Sequence, residues 1–141
     1  MAGSFEGRFA AISGQLAVRE ILAGPRRDLP DAIICGNDQT AIGAMRELQA
    51  AGIRVPADVA VVGFDDIRLS ALFTPPLTTI RQPMQLLGER ACSRLLQRIA
   101  DPSLPPRTER LPTELIIRES CGCGPSPARA PAATRHDTRR S

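Results

Sequence analysis

Two short apolar runs, each closed by a polar cluster and separated by one helix-length segment, constrain this chain more than any other feature. The run 31–36 reads Asp-Ala-Ile-Ile-Cys-Gly, and the run 59–62 reads Val-Ala-Val-Val before Gly63-Phe64-Asp65-Asp66. Apolar runs without alternation are the pattern of strands buried on both faces, as in parallel sheets covered by helices. Between them Ala41, Ala44, Met45 and Leu48 recur three and four apart, which predicts a helix over 38–51. Gly52 can take the left-handed conformation that ends it, and Ile53 can fold back onto its last turn.

The flanking segments extend the alternation. Ile12, Leu16, Ile21 and Leu22 predict an earlier helix over 13–23, stopped by Gly24-Pro25. After a turn at 56–58 and the second run comes an irregular stretch with Leu69, Leu72 and Phe73, then a third strand over 78–80. Pro83 suits the first turn of a helix reaching Ala100, with Met84, Leu87, Ala91, Leu95 and Ile99 as its apolar stripe. A proline-rich connection over 101–106 leads to a last strand over 110–118, with Leu111, Leu115, Ile116 and Ile117. Helices alternating with strands in this way predict a layered α/β architecture with parallel strands.

Charge and composition narrow the chemistry. The net charge is +3, but through residue 120 arginines and acids balance, so the surplus belongs to 121–141. That end carries Arg129, Arg135, Arg139 and Arg140 among Pro, Ala and Ser and reads as a disordered basic tail. A body without excess charge is a poor nucleic-acid binder. With 3% aromatic residues it also lacks platforms for base stacking. Every cation is Arg, which excludes Schiff-base lysines, a P-loop lysine and the lysine of a phosphoacceptor receiver domain. The one histidine, His136, lies in the tail, and there is no Gly-x-Ser-x-Gly elbow, so no catalytic set is indicated and no enzyme is expected. No metal or cofactor is expected either: Cys121-Gly122-Cys123 is too tight for a zinc knuckle pair, while Cys35 and Cys92 read as small buried hydrophobes. Residues 1–8 show no basic stretch leading into an apolar one, and no run reaches the roughly 20 apolar residues of a membrane span. The expected location is the cytoplasm.

In open α/β sheets, ligands bind beyond the carboxyl ends of the strands. Gly36-Asn37-Asp38 and Gly63-Phe64-Asp65-Asp66 occupy those ends, so adjacent parallel strands would bring Asn37 and Asp65 to one rim. An amide and a carboxylate together offer donors and acceptors to a small polar molecule. Local chemistry supplies competing roles: Asp38 as the cap of the following helix, Asp66 as a cap of the next turn, Asn37 as a turn residue, and Asp65-Asp66 as a metal pair.

Three segments carry a resemblance. Residues 30–44 (PDAIICGNDQTAIGA), 52–66 (GIRVPADVAVVGFDD) and 75–83 (PPLTTIRQP), in that order, resemble the lactose/galactose-repressor (LacI/GalR) family, and 111–120 (LPTELIIRES) is similar to its closing strand. The resemblance implies a periplasmic-binding-protein-like (type I) fold, an α/β layered fold with a parallel sheet, incomplete and mostly its second lobe. It assigns 1–82 to the C-terminal lobe, 83–106 to a helix of the N-terminal lobe and its linker, and 107–120 to the closing strand; 121–141 has no counterpart. It implies effector-binding roles for Phe9, Asn37, Asp65 and Met84, with an effector-gripping arginine upstream of Met1, and homodimer-interface roles for Ile42, Leu72 and Phe73. Core packing is the competing role for those last three. The implied function is that of the effector-sensing and dimerising part of a transcriptional regulator. Its ligand would be a small sugar-like or nucleobase-like effector, with carbohydrate favoured, and operator DNA would be reached only through a helix-turn-helix absent from this chain. A solute-binding protein of the same fold and a truncated fragment that pairs with intact regulator subunits are the alternatives.

Overall fold

In the computed structural model, which describes residues 3–25 and 29–123, the chain runs through α1 (Ala11–Ala23), β1 (Ala32–Ile34), α2 (Asp38–Ala50), β2 (Ala60–Val62), α3 (Arg68–Leu72), β3 (Thr79–Arg81), α4 (Met84–Ala100) and β4 (Glu114–Ile116). The basic tail beyond residue 123, with its arginines and His136, lies outside the described residues. β1 and β2 pair in parallel, Ile33 opposite Val61, as the two apolar runs predict. Parallel bridges Val62–Thr78 and Asp65–Arg81 carry the alignment on to the third strand. α3 is a short helix where the sequence predicts only an irregular stretch.

Two expectations about the sheet are corrected. β4 runs antiparallel to β3, with Thr79 opposite Ile116, not parallel. A parallel return needs the intervening helix to pack back across the sheet; α4 has no buried residue, and the chain comes back alongside β3 instead. β1 is not buried on both faces: Ile34 is 84% exposed, because the helices that pack on the sheet cover the opposite side, where Cys35 is buried.

The core forms where α1 and α2 meet the sheet: Val18, Ala41, Ala44, Met45, Leu48, Ile53, Val59, Val61 and Leu77 are all buried. α2 ends as its sequence predicts. Gly52 has φ +70°, its N–H donates to the Gln49 carbonyl (3.0 Å), and Ile53 N–H donates to Leu48 (2.9 Å), closing a Schellman turn. α1 departs from its predicted face. Ile12 and Leu16 are exposed, and the buried positions are Gly14 and Val18. The two helices touch backbone to backbone: Gly14 lies on the Thr40 carbonyl and Gly43 on the Ala11 carbonyl, so that a Cβ at either would collide with main chain. An Arg19–Glu47 pair (2.8 Å) closes the exposed side of this contact.

Polar anchors fix the loops at the strand ends. Asp38 is fully buried; its carboxylate accepts from Ile67 N–H (2.8 Å), Ser70 Oγ (2.5 Å) and Thr79 Oγ1 (2.5 Å). It is therefore not the cap of α2; Asn37 is, with Oδ1 accepting from Thr40 N–H (3.0 Å). Asp66 caps nothing: it accepts from Arg118 (2.6 Å) and Arg81 (2.7 Å), joining the end of β2 to β3 and to the segment after β4. Burial works to raise the Asp66 carboxyl, but the bonds and charges of the two guanidinia hold it below its ordinary value. Ser120 completes the set, donating to the Val61 carbonyl (2.6 Å) and accepting from Thr78 N–H (2.8 Å).

These contacts give three expected outcomes. Gly43→Ala should destabilise the chain by about 2 kcal/mol in urea unfolding, although Ala is the better helix former by about 1 kcal/mol; a gain in stability would mean that α1 does not rest on Gly43. Asp38→Ala should cost about 3 kcal/mol or more by leaving two buried donors and one part-buried donor without an acceptor; a loss within experimental error would contradict that role. Because the folded Asp66 carboxyl titrates below the unfolded value of about 3.9, its stabilisation is complete above that pH and disappears as pH falls through the folded value. Urea midpoints followed from pH 7 to 2 should therefore show a shallower acid limb in Asp66→Asn than in the parent chain, and parallel limbs would exclude the effect.

Candidate functional site

Strand ends, caps and tight turns together build one polar rim. Asp38 N–H donates to the Phe64 carbonyl (2.8 Å), which brings the loop after β1 against the loop after β2 and puts Asn37 and Asp65 on the same edge. Phe9 joins them from the segment before α1: its carbonyl accepts from Asn37 Nδ2 (2.9 Å), and its ring lies over Gly36. The ring is 66% exposed, so it presents an open aromatic face beside the amide. Asp65 is held by its N–H donating to the Ile80 carbonyl (2.8 Å), and its Oδ1 accepts from Gln82 Nε2 (2.6 Å).

The polar groups keep unused capacity. Asn37 has one bond on each amide atom, and an amide can make four. Asp65 Oδ2 has no protein partner among the described residues, so it is open to a hydroxyl or ring N–H. Asp66 faces its two arginines while Asp65 meets Gln82; the neighbouring acids do not converge as a metal pair. No group of three or more metal-ligating side chains occurs among the described residues.

Backbone strain marks the same place. Among the described residues three non-glycine residues have positive φ, namely Phe9 (53°), Asp65 (116°) and Asp66 (56°). Each lies at the rim or adjoins it. Such conformations cost of order 1–3 kcal/mol each and persist where surrounding structure enforces them.

The remaining expected site residues divide. Met84, 59% exposed, begins α4 two residues beyond Gln82, and its side chain makes a shallow depression with Pro83, Gln85, Leu86 and Glu89, on α4 and not over the rim acids. Ile42 is 4% exposed and packs in the core, the competing role named for it. Phe73 packs partly against the core, with the Arg46 guanidinium 6.0 Å from its ring centre. Leu72 alone of the three stands well out, 68% exposed. Cys92 is exposed on α4, not buried as its pattern suggests; Cys35 is buried, and burial together with the Asp38 charge pushes its thiol up to about 11. Gln82 is the rim residue that the sequence reading missed. It directly follows β3, so the rule that singles out Asn37 and Asp65 at strand ends would have found it.

Known proteins are similar to this chain in sequence and fold. Residues 4–121 match the periplasmic binding protein-like domain. The HTH-type transcriptional repressor PurR of Aliivibrio fischeri (strain ATCC 700601 / ES114) is 43% identical over 115 residues, covering 82% of this chain and 34% of the relative. Its namesake from Escherichia coli O139:H28 (strain E24377A / ETEC) is 42% identical over 120 residues, 85% of this chain and 35% of that protein. This chain thus spans about a third of the length of the curated relatives it matches. Among solved structures, the transcriptional regulator CelR–cellobiose complex aligns with TM-score 0.73 and 39% identity over 81% of this chain and 34% of that one. The lac repressor dimer bound to operator and the anti-inducer ONPF aligns with TM-score 0.72 and 38% identity over 82% of this chain and 34% of that one. With its parallel β1–β2 pair, its strand-end rim and these matches, the chain belongs to the periplasmic binding protein-like family, in the group that forms the sensor domains of LacI/GalR-type regulators.

Proposed function

We propose that this chain senses a small neutral polar effector at the rim formed by Phe9, Asn37, Asp65 and Gln82, as part of a LacI/GalR-type transcriptional regulator. The observation that carries this reading is the coincidence of strain and polarity: every non-glycine residue of positive φ among those described lies at or beside that rim. Energy held in such conformations is a pointer to a binding or switching role. The aromatic face of Phe9 suits a sugar ring or a nucleobase, Asp65 Oδ2 takes a hydroxyl or ring N–H, and Asn37 adds a donor and an acceptor. Sugars are the first class to test, because the CelR neighbour is complexed with cellobiose; nucleobases are the second.

Met84 is assigned to the far side of the ligand, through the first turn of α4. The helix is assigned to a first lobe with the linker that follows it (83–106), and residues 1–82 with the closing strand (107–120) to the second. This accounts for the exposed Met84, Leu87, Leu95 and Ile99. Leu72 is assigned to a homodimer surface, operator DNA is contacted by a separate helix-turn-helix, and the setting is the cytoplasm; no helix among the described residues is long and apolar enough to cross a membrane. No catalytic role is assigned.

The test is thermal unfolding of the chain with panels of neutral sugars and of nucleobases. A ligand at ten times its Kd should stabilise by about 1.4 kcal/mol and raise Tm by a few degrees. Asp65→Ala should remove that rise, and Gln82→Ala should change it. A rise of equal size in Asp65→Ala would place the ligand elsewhere, and no rise with any member of either panel would count against the reading.

A further inference from the structure

The dithiol at the end of the described chain has no part in the rim. Cys121 and Cys123 flank Gly122, whose φ of +73° turns the backbone sharply, and Gly122 N–H donates to the Glu119 carbonyl (3.0 Å). This turn folds the two cysteines over one another. Cys123 N–H donates to Cys121 Sγ (3.2 Å), while Cys123 Sγ approaches the Cys121 carbonyl (3.7 Å). Its base is anchored in the fold: Ser120 is fully buried and bonded on both sides to Val61 and Thr78. Both thiols are free, Cys121 half-buried and Cys123 exposed.

We propose that Cys121 and Cys123 are a modification site, where a reversible intrachain disulfide forms by exchange with a low-molecular-weight disulfide. The Cys121 thiolate attacks one sulfur of the small disulfide, whose S–S bond breaks and releases one thiolate that takes a proton from solvent. Cys123 gives its proton to solvent and its sulfur attacks Cys121, expelling the second small thiolate. The protein loses two protons and two electrons, and one small disulfide becomes two thiols. A sharp turn favours the closing step, because disulfides need Cα atoms about 4.4–6.8 Å apart.

The electrostatics support the order of attack. Burial opposes ionisation of Cys121, but hydrogen bonds from Thr78 and Cys123 hold its thiol below the ordinary value; Cys123 is raised by its bond to Cys121 and by the charge there. The lower thiol is the better-populated nucleophile. Cys35, buried and raised, is inert by comparison, and Cys92, exposed on α4, serves as an internal reference.

The experiment treats the reduced full chain with oxidised glutathione near neutral pH, traps remaining thiols with a maleimide and maps tryptic peptides. The peptide 119–129 should lose two hydrogens while Cys35 and Cys92 are labelled, and dithiothreitol should restore it. Exchange at Cys121 should be about tenfold faster than at Cys92 and fall to the Cys92 rate in urea. Cys123→Ser should stop at a glutathione adduct on Cys121, and Cys121→Ser should leave Cys123 no faster than Cys92. Adducts without ring closure in the parent chain, an unchanged rate in Cys121→Ser, or equal rates folded and unfolded would each overturn the proposal.

Discussion

The fold turns on one buried carboxylate. Removing an ionised aspartate from water is strongly unfavourable unless donors replace the water it loses. Asp38 receives three donors, from Ile67, Ser70 and Thr79, and sits in the first turn of α2, where the helix dipole favours negative charge. Those donors come from two separate stretches of chain, 67–70 and β3. Satisfying Asp38 thus requires α2, the loop into α3 and the third strand to meet in one arrangement. Gly63 is glycine for the same reason, because a Cβ there would run into the Asp38 side chain and Leu77. The rim is a consequence: with Asp38 N–H on the Phe64 carbonyl, Asn37 and Asp65 have little freedom to separate.

What the sequence makes legible follows from how local each cause is. The spacing of Ala41, Ala44, Met45 and Leu48 and the Gly52–Ile53 stop depend on residues within a few turns, and the helix they describe forms with its last turn closed as expected. The parallel pairing of the two apolar runs was equally plain. Bulk misleads in α1, where Ile12 and Leu16 look like the inner face but the contact is made by Gly14 against Thr40 and by Gly43 against Ala11. Close backbone approach is a property of the pair of helices, and no periodicity within one of them reports it. The antiparallel β4 is hidden for a similar reason: its direction depends on where α4 goes, not on residues 110–118 themselves.

The site was legible in part. Asn37 and Asp65 follow from the rule for strand ends, and both occupy the edge it indicates. The positive φ of Asp65 and Asp66 was not legible, because the residue type that usually announces that conformation is glycine. Tertiary bonds enforce it instead: Ile80 and Gln82 hold Asp65, and Arg81 and Arg118 hold Asp66. Two of these partners belong to β3 and a third follows it directly, so the strained acids and the third strand form one unit.

That unit leads directly into α4. Gln82, which bonds Asp65, is followed by Pro83 and Met84, and Met84 N–H donates to the Gln82 carbonyl (2.9 Å). Because α4 buries no residue of its own, little packing fixes its direction, and the residues at 82–84 become the joint about which it is set. A ligand donor reaching Asp65 must share Oδ1 with Gln82, displace it, or use Oδ2. The first two alter the bond at that joint and the third leaves it intact. Coupling between rim and helix therefore requires a ligand whose affinity differs with the state of the Gln82 bond, since a ligand binding both states equally shifts neither.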